Sequence, residues 1–335
     1  MTDIWEGEDS MGYRYVVSAP GQGVQRPGML DPWLEGVPEA PELVDTWSRR
    51  AGFDLVTASR DETLLADTAF AQPLIVAVSV LAYRLLRSRL APDADDVLFA
   101  GHSVGELAAA AGAGHLDAET AVALARVRGE AMSAACAVAP TGMAAVMPTK
   151  RDGASDEEIT AAVAASGLSV ANVNGSHQFV AAGPADRVAA FADAPPPGTR
   201  VAPLNVAGAF HTEAMAPAVE AFAHAAHGVR FAEPASAMLG NADGALVSGP
   251  DELRRRLINQ ITGPVRWDLC AQATARLAPD ALHIELAPSG PLTRLLQRAR
   301  PDAHAVAIAI PEDIDRVVAQ AGAHGRTPQP ALAGA

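Results

Sequence analysis

The chemically most informative segment of the chain is a serine set between two glycines, Gly101-His-Ser-Val-Gly105. This spacing is typical of a nucleophile elbow, in which a serine lies on a sharp turn between a strand and a helix. Glycines are needed there because the turn brings backbone segments so close together that a Cβ atom would clash. The segment therefore predicts Ser103 as a nucleophile, with a tight structural turn as the alternative.

The residues on either side of Ser103 favour the elbow. An apolar run at 96–100 is suited to a buried strand, and the alanine-rich segment 106–111 has strong helix-forming composition. A serine at a helix N-terminus lies beside backbone N–H groups that can stabilise an oxyanion. The local sequence thus predicts a serine that can attack a carbonyl carbon.

A serine nucleophile needs a base, and His211 is the most suggestive of the nine histidines. Imidazole, with an unperturbed pKa near 6.5, can accept the serine proton and return it to a leaving group at neutral pH. A partly buried loop histidine is the alternative at this position. His102 adjoins the serine, but neighbouring side chains point apart, and no acidic residue stands out as the third member of a triad.

Composition and charge limit the class of protein that holds these residues. The 335 residues are 49% hydrophobic and 19% charged, as expected for a globular chain with a large core. The net charge of −14 argues against a nucleic-acid partner, because binding phosphates requires a basic surface.

Targeting signals and metal-ligand patterns are not visible in the sequence. The first residues have no basic and apolar regions of a secretory signal. The longest apolar stretch, Pro73–Leu86, is short for a membrane span and predicts a buried helix over 74–87. With two cysteines, Cys136 and Cys270, we expect a cytoplasmic protein without a disulfide framework. We expect no membrane partner, and no metal site because no residues have the spacing of metal ligands.

Strand-like and helix-like segments alternate along the chain, which predicts an α/β protein with a mainly parallel sheet. Within 139–206 the order becomes β-α-β-β-α-β, with helices at 156–165 and 185–193. This order predicts a ferredoxin-like domain inserted into a larger one. The expected organisation is a large domain at 13–138 and 207–320, an inserted domain at 139–206, and flexible tails at 1–12 and 321–335.

Five motifs occur in an order that resembles one enzyme family. They are Gly21-Gln-Gly-Val-Gln25, Gly101-His-Ser-Val-Gly-Glu106, Arg128-Gly129 with Met132, Gly208-Ala-Phe-His-Thr212, and Gln260-Ile-Thr-Gly-Pro-Val-Arg-Trp267. Together they resemble the malonyl-CoA:acyl carrier protein transacylases and the related acyltransferase domains of polyketide synthases, over roughly residues 13–310. The resemblance implies an α/β-hydrolase-like large domain with an inserted ferredoxin-like domain.

The resemblance also implies a Ser–His pair that works without an acid. Ser103 would attack the thioester of malonyl-CoA with His211 as general base, and the backbone carbonyl of Gln260 would orient the imidazole. The backbone N–H groups of Gln22 and Val104 would form the oxyanion hole. The acyl-serine would then pass its malonyl group to the phosphopantetheine thiol of acyl carrier protein, without a bound cofactor, in fatty acid or polyketide synthesis.

Arg128 is the residue that would select the acyl group. Its planar guanidinium can bind the free malonyl carboxylate with two charge-assisted hydrogen bonds. The resemblance implies that Gln72, Met132 and Phe210 also belong to the acyl site, where the bulky Phe210 leaves little room for an α-methyl branch. Arg126, on the same predicted helix, is interpreted as solvent-facing.

The carrier protein is itself acidic in this resemblance, so an acidic chain is expected to dock it through a local basic patch. The candidates are Arg254–Arg256 and the group Arg294, Arg298 and Arg300, with a solvated face as the alternative. Three functions remain open at this point: malonyl transfer, a serine hydrolase or acyl-thioesterase with the same pair, and an inactive partner-binding subunit. Transfer of another extender unit is a variant of the first.

Overall fold

A computed structural model describes residues 12–150, 153–175 and 177–324. Its strands are β1 (Tyr15–Ala19), β2 (Val97–Gly101), β3 (Thr141–Pro148), β4 (Ser169–Gly175), β5 (Gln178–Pro184), β6 (Thr199–Pro203), β7 (Ala237–Met238), β8 (Val265–Arg266), β9 (Leu282–Glu285) and β10 (Ala305–Ala307).

The α-helices are α1 (Asp31–Gly36), α2 (Ala40–Ala51), α3 (Leu55–Arg60), α4 (Glu62–Ala66), α5 (Thr68–Leu90), α6 (Gly105–Ala113), α7 (Ala118–Cys136), α8 (Asp156–Ala165), α9 (Ala185–Asp193), α10 (Ala216–His227), α11 (Pro250–Asn259), α12 (Trp267–Leu277), α13 (Pro291–Ala299) and α14 (Asp313–His324). Short 3₁₀ helices lie at Ala94–Asp96 and Glu213–Met215.

The first sheet is parallel throughout, in the order β10-β9-β1-β2-β7. All five residues of β2 are buried, as expected for a central strand of a parallel sheet whose two faces are covered. The glycine-rich loop follows β1 and Ser103 follows β2, and these two strands pair in register as far as Ala19 and Gly101. Both segments therefore emerge at the carboxyl edge of the sheet, where α/β folds place their ligands.

The second sheet is mixed, in the order β6-β3-β5-β4-β8. Residues 141–203 supply β3 to β6 with α8 and α9 in the predicted order, and both helices have the predicted bounds. The last strand, β8, comes from residues 265–266 and pairs in parallel with β4. A strand from the predicted large domain therefore completes the sheet of the segment 139–206.

Helix α5 begins earlier than the predicted start at residue 74. Asp67 accepts a hydrogen bond from the N–H of Ala69 and caps the helix, and Pro73 lies inside it. A proline removes the bond to the carbonyl four residues before it, here that of Ala69. Arg126 Nη1 donates to this carbonyl at 2.8 Å, so the helix continues through the proline.

Among the helices of the described residues, α5 alone is long and apolar enough to cross a membrane. The rest of the protein buries 78% of its most apolar window, so it is a core helix, as the sequence predicts.

Helix α14 differs from the prediction of a flexible tail from residue 321. It extends through residue 324, and Ala321 is buried against the core together with Ile314 and Val317. The remainder of the predicted tails, 1–11 and 325–335, lies outside the described residues.

Candidate active site

Ser103 lies on a turn that only glycine neighbours allow. A Cβ atom on Gly101 would come within 2.2 Å of the carbonyl carbon of Gly105, and one on Gly105 within 2.3 Å of the Ala19 carbonyl oxygen. Ser103 itself has a φ of +55°, a left-handed conformation that is costly for a residue with a side chain. This is the strand–turn–helix geometry that the sequence predicts, with the serine at its apex.

His211 is the hydrogen-bond partner of the Ser103 hydroxyl in the structure. Its Nε2 lies 2.7 Å from Ser103 Oγ, and its Nδ1 lies 2.8 Å from the backbone carbonyl oxygen of Gln260. Because a carbonyl oxygen can only accept, Nδ1 must be the donor, and Nε2 of the neutral ring is left to accept from the serine hydroxyl. The ring is therefore held in the tautomer that can remove the serine proton.

The protonation state of His211 is set by its surroundings. Burial, and secondly the charge of Arg128, lower its pKa from 6.5 to about 3. The imidazole is therefore uncharged at neutral pH and available as a base.

Arg128 is a fully buried cation that reaches the nucleophile from α7. Its Nη1 donates to Gln72 Oε1 at 2.8 Å, and its Nη2 donates to Gln260 Oε1 at 2.9 Å and to Ser103 Oγ at 3.4 Å. Within the described residues no carboxylate forms an ion pair with it. Burial lowers its pKa to about 10, so it stays charged at neutral pH. The guanidinium can therefore bind an anionic group beside the serine.

Two backbone N–H groups near Ser103 are free to stabilise an oxyanion. The glycine-rich loop packs on the elbow, since a Cβ on Gly21 would lie 2.8 Å from the carbonyl oxygen of His102. The side chain of Gln22 is anchored by a 3.1 Å bond to Thr68 Oγ1. Across the part of the chain that the structure describes, the backbone N–H groups of Gln22 and Val104 donate to no acceptor.

The cleft above Ser103 has a volume of about 390 Å³ and lies between the elbow and the second sheet. Phe210 and His211 form one wall, and Val180 of β5 lies on the opposite sheet. Gln72, Met132 and Arg128 do not line this cleft. Gln72 Oε1 accepts from Arg128 Nη1, and Gln72 Nε2 lies 3.6 Å from Met132 Sδ. Gln72 therefore supports Arg128, and Met132 packs against Gln72.

Arg126 is not solvent-facing, and that interpretation is wrong. Besides donating to the carbonyl of Ala69, its guanidinium stacks 4.9 Å from the ring centre of Phe53 and 4.7 Å from that of Phe70. The side chain is buried because it bonds the Ala69 carbonyl that Pro73 leaves without a donor and stacks on two rings, and all three groups lie far from Arg126 in sequence.

The predicted basic patch at Arg254–Arg256 is neutralised by its neighbours. Arg254 pairs with Asp251 at 2.6 Å, and Arg256 pairs with Asp243 at 2.7 Å and Glu252 at 2.8 Å. This segment therefore presents little unpaired positive charge.

The second arginine group divides into two parts. Arg294 and Arg298 of α13 are exposed, line the cleft, and have no carboxylate partner among the described residues. Arg300 instead donates to the carbonyl of Pro279 at 2.8 Å, so it braces the fold.

Sequence reasoning missed the asparagines around the elbow. Asn241 Oδ1 accepts from the Ser103 N–H at 2.8 Å, and its Nδ2 donates to the Gly101 carbonyl at 2.5 Å. Asn174 Oδ1, from the second sheet, lies 3.0 Å from His102 Nε2. No motif in the sequence points to either asparagine, because each is brought to the elbow by a distant element.

Residues of types that hold metal ions do not cluster in the described parts of the chain, where no group of three or more His, Cys, Asp or Glu is suitably placed. His224 and His227 are exposed on α10.

Comparison with known proteins identifies the family. Residues 16–310 match the acyl transferase domain. The chain belongs to the acyl transferase domain family. The malonyl CoA-acyl carrier protein transacylase of Mycobacterium tuberculosis is 44% identical over 303 residues, which cover 89% of this chain and 97% of the relative. The polyketide biosynthesis malonyl CoA-acyl carrier protein transacylase PksC of Bacillus subtilis is 32% identical over 300 residues, 86% of this chain and 97% of the relative.

Solved structures of relatives have the same mixed α/β fold. The crystal structure of MCAT from Mycobacterium tuberculosis superposes with a TM-score of 0.85 at 41% identity, covering 91% of this chain and 99% of that one. The malonyl-CoA:acyl carrier protein transacylase of Helicobacter pylori gives a TM-score of 0.84 at 27% identity, with 93% and 99% covered. The family resemblance seen in the sequence motifs is thereby confirmed.

Proposed function

We propose that this acyl transferase moves a malonyl group from malonyl-CoA to the phosphopantetheine thiol of an acyl carrier protein, through an ester on Ser103. The observation that carries the proposal is Arg128, a buried cation whose Nη2 lies 3.4 Å from the nucleophilic oxygen. In malonyl, one methylene separates the reacting carbonyl from a carboxylate, so a bound malonyl group brings an anion within reach of this guanidinium. The names of the Mycobacterium tuberculosis and Bacillus subtilis relatives support the same substrates.

Acylation begins with proton transfer from Ser103 Oγ to Nε2 of His211, which lie 2.7 Å apart. Oγ forms a bond to the thioester carbon, and the carbonyl electrons move onto its oxygen. When the carbon–sulfur bond then breaks, the imidazolium returns its proton to the departing CoA thiolate. The carbonyl of Gln260, at 2.8 Å from Nδ1, holds the ring in place but stabilises its positive charge less than a carboxylate would.

The backbone N–H groups of Gln22 and Val104 receive the oxyanion in this mechanism. The support for the assignment is that both donors are free and that the loop holding Gln22 packs on the elbow. Fixed donors of this kind act without reorganisation, and the loss of one commonly costs about 100- to 1000-fold in rate.

Deacylation repeats the same steps with the carrier thiol. His211 removes the thiol proton, the sulfur attacks the malonyl ester, and the proton passes to Ser103 Oγ. The carrier is proposed to approach over α13, where the exposed Arg294 and Arg298 line the cleft and can attract an acidic partner. The reaction uses malonyl-CoA and the carrier as substrates and needs no bound cofactor.

Selection between extender units is proposed to rest on Phe210. Its ring is buried beside His211 and lines the cleft, which leaves little room for a branch on the α-carbon. This position favours malonyl over methylmalonyl.

We also infer an α/β-hydrolase-like large domain, 13–138 and 207–320, with a ferredoxin-like insertion at 139–206. The antiparallel order β6-β3-β5-β4 and the two helices between these strands support the insertion.

A cytoplasmic location is also proposed. Both cysteines, Cys136 and Cys270, are free thiols, which fits a reducing compartment.

One labelling experiment tests the function. The protein is incubated with isotopically labelled malonyl-CoA, the acylated residue is identified by mass spectrometry, and phosphopantetheinylated carrier protein is then added. The expected result is one malonyl group on Ser103 that moves to the carrier thiol, and no adduct on the Ser103→Ala variant. Release of free malonate at the same rate with and without carrier would instead indicate a hydrolase, and an unlabelled Ser103 would refute the mechanism.

A further inference from the structure

Glu106 is a buried carboxyl group directly beneath the nucleophile that the proposed chemistry does not use. It lies in the first turn of α6 and is 1% exposed. Its Oε1 accepts from the backbone N–H of Asn241 at 2.7 Å, and its Oε2 accepts from Gln260 Nε2 at 2.5 Å. Across the described ranges no arginine or lysine forms an ion pair with it. Both of its oxygens therefore act on the amide groups that surround Ser103.

Gln260 is the residue that joins Glu106 to the functional side chains. While its Nε2 donates to Glu106, its Oε1 accepts from Arg128 Nη2 at 2.9 Å and its backbone oxygen lies 2.8 Å from His211 Nδ1. A carboxamide has a donor end and an acceptor end, so fixing one end fixes the other. An ionised carboxylate can only accept and a guanidinium can only donate, so Glu106 holds the amino end of Gln260 and Arg128 holds its oxygen end. The same Nε2 lies 3.3 Å from the Ser103 carbonyl oxygen and 3.3 Å from Asn241 Oδ1, both longer contacts than the one to Glu106.

Asn241 connects the same carboxylate to the backbone of the elbow. The backbone N–H of Asn241 donates to Glu106, and its side-chain oxygen accepts from the Ser103 N–H at 2.8 Å. Glu106 is thus linked to Ser103 through Asn241, and to His211 and Arg128 through Gln260.

We propose that Glu106 is a positioning residue, whose ionised carboxylate sets the orientation of the Gln260 carboxamide and thereby holds Arg128 ready for the carboxylate of the acyl group. The inference rests on the proposed malonyl transfer. It assigns to Glu106 the selectivity for an acidic acyl group, and not the reactivity of Ser103.

The charged surroundings make this orientation sensitive to pH. Burial raises the pKa of Glu106 to about 7, while Arg128 of α7 and Arg256 of α11 lower it and Asp243 raises it. Cys270 of α12 also faces this carboxyl, and its own thiol pKa is raised by burial. A protonated Glu106 has one oxygen that donates instead of accepting, so it holds the amino end of Gln260 less firmly, and the oxygen that accepts from Arg128 is then fixed less well. Selectivity for malonyl should therefore fall as the pH drops below about 7.

The Glu106→Gln substitution tests the proposal without a change of volume. The single oxygen of the new carboxamide can accept from Asn241 or from Gln260 Nε2, but not from both. While it accepts from Asn241, its amino group faces that of Gln260, so the Gln260 oxygen that accepts from Arg128 is held less firmly. We expect the ratio of kcat/KM for malonyl loading to that for acetyl loading to fall by about 10- to 100-fold, as for loss of a hydrogen bond to a charged group. Labelling of Ser103 by an organophosphonate probe should stay within about threefold of wild type, since the inference leaves the serine–histidine pair unchanged.

The matched control is Glu130→Gln, which neutralises an exposed carboxylate on the helix that carries Arg128. Its loading ratio and pH profile should equal those of wild type.

The pH dependence of the wild-type protein tests the proposal even if the Glu106→Gln variant does not fold. Single-turnover malonyl and acetyl loading are measured from about pH 5.5 to 8.5, and the wild-type ratio should rise through about pH 7, whereas in Glu106→Gln it should be low and flat. A wild-type ratio that does not change with pH, or a Glu106→Gln variant as selective as wild type, would overturn the inference. Failure of wild type to form any malonyl ester on Ser103 would refute the proposed function instead, so the two failures are distinguishable.

Discussion

Replacing Arg128 with methionine removes the cation while keeping a side chain of similar length. The magnitude follows from the cost of burying the charge. Burial lowers the pKa of Arg128 from 12.5 to about 10, and about 2.5 units correspond to about 3 kcal/mol by which the site disfavours the unpaired cation. A malonyl carboxylate offsets this cost by pairing with Arg128, whereas an acetyl group cannot. The Arg128→Met variant should therefore lose about 100-fold in the ratio of malonyl to acetyl loading.

The assay is single-turnover acylation of Ser103, followed by intact-protein mass spectrometry with each acyl-CoA. Arg126→Met is the matched control, because Arg126 lies on the same helix and is also largely buried but contacts Phe53 and Phe70 instead of the serine. It should lower the melting temperature and leave the ratio unchanged. An Arg128→Met variant that keeps the wild-type ratio within about threefold would refute the reasoning, since the cation would then contribute no selectivity.

Four further predictions concern the base, the cleft wall and the docking face, two of them the base. Because burial and Arg128 lower the pKa of His211 to about 3, acetyl loading should be independent of pH between about 6 and 8, as stopped-flow acylation can show. His211 should also cost stability as the pH falls from 6.5 towards 3, because only the unfolded chain binds the proton there, and urea titrations would detect this. Phe210→Ala should raise methylmalonyl relative to malonyl loading by about tenfold, measured by mass spectrometry, because it removes the bulk beside the α-carbon. Reversing Arg294 and Arg298 to glutamate should raise KM for the carrier by about tenfold with malonyl self-acylation unchanged, whereas Arg255→Glu should change neither; an unchanged KM would exclude α13 as the docking face.

Much of the fold could be predicted because it is encoded locally. Helices α8 and α9 have the bounds that composition predicts, and in α8 the start is fixed by Ser155 and Glu158, which cap it reciprocally. Helix α5 begins at Thr68 and not at the predicted residue 74, and Pro73 lies inside it, where it leaves the Ala69 carbonyl without its helical donor. Arg126, 57 residues away, pairs that carbonyl, and the sequence does not show this contact.

The residues of the candidate site also fall into those that the sequence indicated and those that it did not. The glycines at 101 and 105 identify the elbow because their close contacts arise within a few residues of the serine and with the adjacent strand. The motifs also pointed to His211, Arg128 and Gln260, although only a resemblance connected them. Nothing in the sequence indicated Asn241, which supports Ser103 from 138 positions away.

By itself, the sequence determined that Ser103 occupies a turn between a strand and a helix, since the close approach of Gly101 to Gly105 arises within one pentapeptide. Only the tertiary structure decided what surrounds the serine. His211 lies 108 residues from it in sequence, and Arg128 and Gln260 lie 132 residues from each other. The orientation of the Gln260 carboxamide depends on Glu106 and Arg128 together. Contacts over such separations depend on how distant elements pack, and the hydrogen-bond geometry of that packing turns a reactive serine into a site for an acidic acyl group.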